Sequence, residues 1–332
     1  MHLVKDIGEA GLLAIVQTFC PGQLVGDDAA LVSISPGQQV VVTTDLLVDG
    51  VHFSLGLAQP GIVTMTPEDV GWRAAAANLS DLAAMGARPL GITVGLSLPP
   101  DVPVAWIEGI YQGLAVCLRE FAGGPILGGD VCQSDSLSLA ITALGEVDPQ
   151  AAIYRHRARP GDVILATGIH GAARAGLELL LKPAWGEFLT TYQRQTLIQT
   201  HQRPRPRLDV IEIIRRYLPT ERIAGMDSSD GLADAVIQIC QQSQTGAILW
   251  AEQLPLVQEL PPELGQAWGF YGGEDFELVL TLAPAAAKTL ISHLNSQAAI
   301  IGEITSGTEI TLVSDTETIT LDPQQRWQHF EV

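Results

Sequence analysis

Apolar and polar positions along the chain predict two successive blocks of helices and strands. The opening stretch, MHLVKDIGEAGLLAIVQTFC, places Asp6 and Glu9 within an otherwise apolar run and predicts a short amphipathic helix. Apolar runs at Ala30–Ile34 and Gln39–Leu46, joined by Ser-Pro-Gly, predict two strands. Thr66 is placed to cap a helix, with Pro67 at its first position and Asp69 closing a capping box. That helix runs through AAAANLSDLAAM and stops at Gly86. A strand at Ile92–Leu98, a helix at Val104–Phe121 and a long strand at Leu137–Val147 complete the first block. Turn signals at Asp148-Pro149 and Arg159-Pro160-Gly161-Asp162 mark a boundary near 148–160.

The second block opens with a strand at Val163–Thr167 and a helix from Gly171, with two further helices within 186–217. Ile223–Met226 predicts a strand leading into Asp-Ser-Ser-Asp-Gly, followed by a helix to about Gln242. Phe276–Leu282 predicts a strand behind Gly-Gly-Glu-Asp, and short strands fill the tail from about 298. The pattern is α+β, or mixed α/β, in two domains at 1–150 and 151–332. A chain of 332 residues fits two domains and needs no covalent staples.

Composition narrows the functional classes. The chain is 47% hydrophobic and 17% charged, as expected of a globular protein. No apolar run is long enough to span a bilayer. The four cysteines, Cys20, Cys117, Cys132 and Cys240, have neither metal-ligand spacing nor a disulfide pattern, so a reducing, cytoplasmic setting is expected. The net charge is −19. Residues 1–150 carry 16 acidic and 4 basic side chains, and residues 151–332 carry 21 and 14. Such a surface repels nucleic acid and anionic lipid. It also repels nucleotides, so an anionic substrate at the acidic half requires bridging cations.

The placement of the acids is the informative feature. Asp27 and Asp28 precede a strand, and Asp45 ends the run VVVTTD behind Thr43 and Thr44. Asp81 interrupts an Ala/Leu-rich helix, where an unpaired buried carboxylate would cost several kcal/mol. Asp130 follows Gly128-Gly129, whose predicted turn lets backbone approach a phosphate. Asp227 and Asp230 bracket Ser228-Ser229, and Glu274 and Asp275 follow Gly272-Gly273. Each has an ordinary reading; for Asp230 alone, capping the following helix is the preferred one. Together, acids at strand ends and glycine turns predict a site for several Mg²⁺ ions between phosphates. Phosphoryl transfer needs positioning and charge stabilisation rather than a strong general base. No Walker A or protein-kinase glycine loop is present. Gly168–Gly171 precedes a helix N-terminus, where strand–helix packing competes with anion binding.

Six phrases occur in order: GDDAAL, VTTDLLVDGVHF, NLSDLAAMGARP, GGD, MDSSDGL and GGEDFEL. Their wording resembles the thiamine-monophosphate kinases, members of the superfamily that includes aminoimidazole ribonucleotide synthetase, over about residue 5 to Trp327. The resemblance implies ATP-dependent phosphorylation of thiamine monophosphate to thiamine diphosphate, with several Mg²⁺ ions. It implies metal ligands at Asp28, Thr43, Thr44, Asp45, Asp81, Asp130, Asp227 and Asp230. ATP contacts fall on Tyr111, Gly129, Asp130, Arg155 and Ser229, and substrate contacts on His52, Glu274 and Trp327. The fold it implies pairs N-terminal strands across a homodimer and adds an α/β C-terminal domain.

The residues themselves leave alternatives open. Tyr111 fits a helix core as well as an adenine contact, and Trp327 a docked anchor as well as a ring stack. His52 alone reads as a strand-end histidine. Arg155 can fork onto phosphate oxygens, whereas the run His201–Arg207 reads as a turn before a helix. Within the superfamily, a selenophosphate synthetase would carry a reactive Cys followed by Lys, but Cys20 precedes Pro21. A hydrogenase-maturation dehydratase would end in a Cys-bearing tail, and this chain ends Gln-His-Phe-Glu-Val. A non-catalytic Mg·ATP-binding module is the alternative outside enzymes.

Overall fold

The alanine-rich run around Asp81 becomes a helix enclosed on nearly every side, and the fold is arranged around it. The computed structural model describes residues 2–22, 24, 28–294 and 297–321. In the first half, α1 (Val4–Val16) precedes β1 (Gln39–Val48), α2 (Pro67–Ala84) and β2 (Arg88–Leu98). Then come α3 (Val104–Glu120), β3 (Ile126–Gln133) and β4 (Ser138–Val147). The four strands form one sheet in the order β1-β4-β2-β3, antiparallel except for the β2–β3 pair.

The expected capping box opens α2: Thr66 Oγ1 accepts from Asp69 N at 3.2 Å, and Thr66 N donates to the Asp69 carboxylate at 3.1 Å. Helices α2 and α3 meet backbone to backbone. A Cβ at Gly71 would lie 1.9 Å from the Ile110 carbonyl oxygen, and one at Gly113 2.0 Å from that of Glu68. Larger residues would drive the helices apart.

The second half contains β5 (Val163–Ala166), α4 (Ala172–Leu181), α5 (Thr191–Gln202), α6 (Leu208–Tyr217) and β6 (Ala224–Asp227). It continues through α7 (Leu232–Ser243), β7 (Gly246–Trp250), α8 (Pro262–Tyr271), β8 (Leu278–Leu282) and α9 (Pro284–His293). It ends in β9 (Ala299–Thr305), β10 (Ile310–Val313) and β11 (Thr318–Thr320). Its seven strands are ordered β11-β10-β7-β9-β5-β8-β6. One apolar core joins the halves: Leu79 and Leu82 of α2 belong to the same buried cluster as Ile211, Ile214, Leu278 and Leu280. No helix among the described residues is long and apolar enough to cross a membrane.

Several expectations change. Ala30–Ile34 forms no strand; Leu31 is 94% exposed, and only Ser35 is tied down, through Glu146. Gly128-Gly129-Asp130 is not a turn but part of β3. A Cβ at Gly129 would stand 1.9 Å from the Val94 carbonyl oxygen, so close strand approach explains that glycine. Elements β7, α8 and α9 lie in stretches for which the sequence reading named no element. The run His201–Arg207 is the expected turn, and it fastens the halves together. Arg203 pairs with Asp69 at 2.6 Å, Arg205 with Glu120 at 2.5 Å, and the Trp72 indole donates to the Pro204 carbonyl at 2.8 Å. Arg207 is engaged by Asp209 and Glu277.

Candidate active site

Strand alternation sorts the acids of the first half. On β1, Thr43 and Asp45 face α2, whereas the Thr44 side chain points to the opposite face and meets Thr142 Oγ1 at 2.9 Å. The Thr44 hydroxyl therefore does not share a site with the Asp45 carboxylate. Asp81 accepts a hydrogen bond from Thr43 Oγ1, and Asn78 Oδ1 accepts from Asp45 N at 3.2 Å. One turn of α2 thus carries both partners of the β1 end.

The second half supplies the facing acids. Asp227, at the end of β6 and buried, accepts from Ser80 Oγ of α2 at 2.7 Å, bridging the halves. Asp230 lies in the turn after it, exposed, and does not cap α7; the N-cap is Gly231, whose φ of 104° suits glycine. The acids feel one another strongly. Burial, then the charges of Asp81 and Asp230, push the Asp45 carboxyl up to about 6. Burial, then Asp81 and Asp45, push Asp227 up to about 7. Burial also raises Asp81, against the Thr43 hydrogen bond and the Arg155 charge, which lower it.

This donor set fits a hard divalent cation: carboxylates and hydroxyls, several of the carboxylates raised by burial and by their neighbours' charge. Among the described residues, no three His, Cys, Asp or Glu side chains converge tightly enough to hold an ion unaided. Mg²⁺ keeps several waters and uses one or two carboxylates with substrate phosphates, so it does not require three converging side chains. Arg155 stands at the margin, its Nη1 donating to Gln238 Oε1 of α7 at 2.7 Å, and its charge reaches both Asp81 and Asp227.

Two expected ligands, Asp130 and Asp28, have no described contact with this group. Asp130 is exposed on β3, the edge opposite β1, with β4 and β2 between them. Three inter-strand spacings separate it from the Asp45 row by roughly 14 Å. Asp28 is exposed on a bend, and no described contact ties it to the other acids. Tyr111 is 3% exposed and packs on the Phe19 ring at 5.6 Å; burial raises its hydroxyl pKa, as expected of a core tyrosine.

A second group adjoins the first. Glu274 N donates to the Ser229 carbonyl at 2.7 Å, pinning the Gly-Gly-Glu-Asp loop to the Asp-Ser-Ser-Asp turn. Glu274 and Phe276 hold left-handed φ of 64° and 52°, uncommon for residues with side chains. Burial works to raise the Glu274 carboxyl. Arg73, by its charge and its hydrogen bond, outweighs burial and, with the neighbouring His201 and His52 rings, holds it below its ordinary value. His52 is itself fixed, its Nδ1 accepting from Val48 N at 3.1 Å. Asp275 turns the other way: its carboxylate accepts from Gly171 N at 2.7 Å and Ala173 N at 2.9 Å, so the α4 N-terminus is filled from within the chain. Below the turn, buried His170 contacts Ser228 Oγ at 3.0 Å and the Gly168 carbonyl at 3.1 Å. Burial lowers its pKa to about 4, keeping the ring neutral. Trp327 lies outside the described residues.

Two open cavities lie elsewhere. A cavity of about 660 Å³ between α3 and α5, and one of about 330 Å³ beside Arg88 and Arg215, include none of Asp45, Asp81, Asp227 or Asp230.

Comparison with known proteins gives the family. Residues 26–147 match the family described as AIR synthase related protein, N-terminal domain, and residues 159–315 match its C-terminal domain. The thiamine-monophosphate kinase of Synechococcus elongatus is 48% identical over 333 residues, covering 98% of each chain. The chain belongs to the thiamine-monophosphate kinase family.

Solved structures agree. The thiamine-monophosphate kinase of Stenotrophomonas maltophilia is 33% identical, with a TM-score of 0.76 over 88% of this chain and 90% of that one. AaThiL complexed with AMPPCP and TMP is 30% identical, with a TM-score of 0.72 over 99% of both chains. Against this thiamine-monophosphate kinase background, sequence reasoning missed Arg73, Asn78, Ser80, His170 and Gln238. Asn78 and Ser80 carried a signal, being polar residues of NLSDLAAM on a helix with almost no solvent-facing side. Gln238 and Arg73 carried none, because their partners are distant in sequence.

Proposed function

We propose that this protein transfers the γ-phosphate of ATP to thiamine monophosphate, giving thiamine diphosphate and ADP, with Mg²⁺ as the required cation. The observation that carries this reading is the group of Asp45, Asp81, Asp227 and Asp230. These acids come from both halves; Asp81 and Asp230 add to the burial that raises Asp45, Asp81 and Asp45 to that which raises Asp227, and the Arg155 charge reaches Asp81 and Asp227. Mg²⁺ supplies neutralisation of the phosphate oxygens when bound. Asp45, Asp81, Asp227 and Asp230 would hold it, with the Thr43 hydroxyl, while Thr44 has only its backbone to offer from this face. Arg155 and Ser229 then orient the triphosphate, and His52 and Glu274 hold the acceptor. A phosphate oxygen of the acceptor attacks the γ-phosphorus in line, the bond to the β–γ bridging oxygen breaks, and ADP leaves with that electron pair. The acceptor phosphate is already an anionic nucleophile, so no side chain need remove a proton.

Asp28, Asp130, Gly129, Tyr111 and Trp327 retain assignments by resemblance alone. A homodimer belongs to the same reading. The outward face of edge strand β1 exposes Val40, Val42 and Leu46, at 47%, 60% and 55%, which a solitary edge strand would leave open to mispairing. The free thiols of all four cysteines suit a reducing, cytoplasmic compartment.

The test is incubation of purified protein with ATP, Mg²⁺ and thiamine monophosphate, with chromatography for thiamine diphosphate. Product from the monophosphate but not from free thiamine, lost in EDTA, is the expected result. Binding of Mg·ATP without product would reject the reaction in favour of a non-catalytic nucleotide-binding module.

A further inference from the structure

Arg73 projects from α2 into the second half and is 2% exposed. A guanidinium so buried is tolerated only when its charge and donors are matched. Its Nη2 pairs with Glu274 Oε1, its Nη1 donates to the His201 carbonyl at 2.6 Å, and its carbon lies 5.9 Å from the Phe276 ring centre. All three partners belong to the second half, and two flank the left-handed stretch of the Gly-Gly-Glu-Asp loop.

Glu274 is not consumed by this contact. Its side chain is 32% exposed, and Oε2 stands 3.6 Å from His201 Nδ1, beyond hydrogen-bond reach. Neither ring nitrogen of His201 has a hydrogen-bond partner among the described residues. One carboxylate oxygen is anchored by Arg73, and the other is left without a hydrogen bond to the His201 ring. Nor does the loop hold this shape by intrinsic preference. Left-handed φ at Glu274 and Phe276 is maintained by the Glu274 N contact to Ser229 and by the Arg73 bridge.

The same helix carries Asp81, which takes part in the acid group at the other end. Eight residues of α-helix span roughly 12 Å. Helix α2 therefore fixes the spacing between the anchored Glu274 and the Asp81 carboxylate.

We propose that Arg73 is a positioning residue for the acceptor molecule: it holds the Glu274 carboxylate so that the acceptor is bound in register with Asp81 on the same helix and the acid group it belongs to. This rests on the reading that Glu274 contacts thiamine monophosphate. Arg73 touches no substrate; it acts through Glu274.

The test is a double-mutant cycle of Arg73→Lys, Glu274→Gln and the combined variant, with steady-state kinetics on ATP and thiamine monophosphate and thermal melts of each protein. Lysine keeps the buried charge and loses the forked contact. Arg73→Lys is expected to raise KM for thiamine monophosphate about tenfold while KM for ATP stays within about twofold. In the Glu274→Gln background the same substitution should add almost nothing. Equal changes in both KM values, or an acceptor effect undiminished in the combined variant, would overturn the proposal. Arg73→Gln, read against the same cycle, replaces the lysine variant if that one does not fold. Wild type that leaves thiamine monophosphate unphosphorylated refutes the functional reading; active wild type with additive variants refutes only the role of Arg73.

Discussion

Replacing Asp45 by asparagine should abolish activity and stabilise the metal-free protein. The Asp45 carboxyl, ordinarily at 3.8, is held at about 6 by burial and by Asp81 and Asp230. At roughly 1.4 kcal/mol per unit, ionising it in the fold costs on the order of 3 kcal/mol relative to the unfolded chain. Screening at its partly exposed edge reduces the expected gain from Asp45→Asn to about 1–2 kcal/mol, or roughly 2–6 °C in melting temperature. The isosteric amide leaves the backbone bond to Asn78 in place. The sign fixes the pH dependence. Between about pH 4 and about pH 6 the folded protein retains a proton that the unfolded chain has released, so this group's stabilisation falls as pH rises. The variant's advantage should be full above about pH 7 and vanish near pH 4. Melts in EDTA across this range, repeated with Mg²⁺ and ATP, supply the assay. With ligands present the ranking should invert, because wild type alone keeps the full site. A variant less stable than wild type in EDTA at pH 8, or one with near-normal turnover, would refute the account of crowded carboxylates awaiting a cation.

Asp81→Asn should lower kcat by at least about 100-fold while circular dichroism remains native, because the amide still accepts from Thr43 but loses the charge. His170→Asn should flatten the acid side of the stability profile. The buried ring is held at about 4 against an ordinary 6.5, so its stabilising contribution is complete above pH 6.5 and lost as pH falls towards 4. By pH 5 wild type should lose about 2 kcal/mol that the variant does not, measured by urea titration. Val42→Asp, at a 60% exposed outward position of β1, should shift sedimentation velocity from dimer to monomer while leaving the fold intact. Unchanged sedimentation would place any dimer interface elsewhere.

Local chemistry was legible wherever a signal lay within one turn or one strand. The capping box at Thr66 and Asp69, the stop at Gly86 and the strand entering Asp227 follow from neighbours a few residues apart. The anomaly of Asp81 in an alanine-rich helix was equally visible, since a buried carboxylate requires a partner wherever it sits. Ala30–Ile34 misled because an apolar run indicates only a buried face, not a neighbour, and no strand among the described residues pairs with it. Gly129 misled for a related reason: glycine permits a tight turn and close strand approach alike, and only the Val94 carbonyl distinguishes them.

What the sequence alone determined was the inventory and the family: acids at strand ends, glycines beside them, and six ordered phrases whose wording resembles the thiamine-monophosphate kinases. Tertiary structure decided which acids meet. Strand alternation turned Thr44 away from Asp45, sheet order put Asp130 on the far edge, and α2 brought Ser80 to Asp227 and Arg73 to Glu274. Those contacts join residues 147 and 201 positions apart. Local preferences reach only a few residues, so such pairings emerge when one core, shared between two sheets, settles where each surface lies.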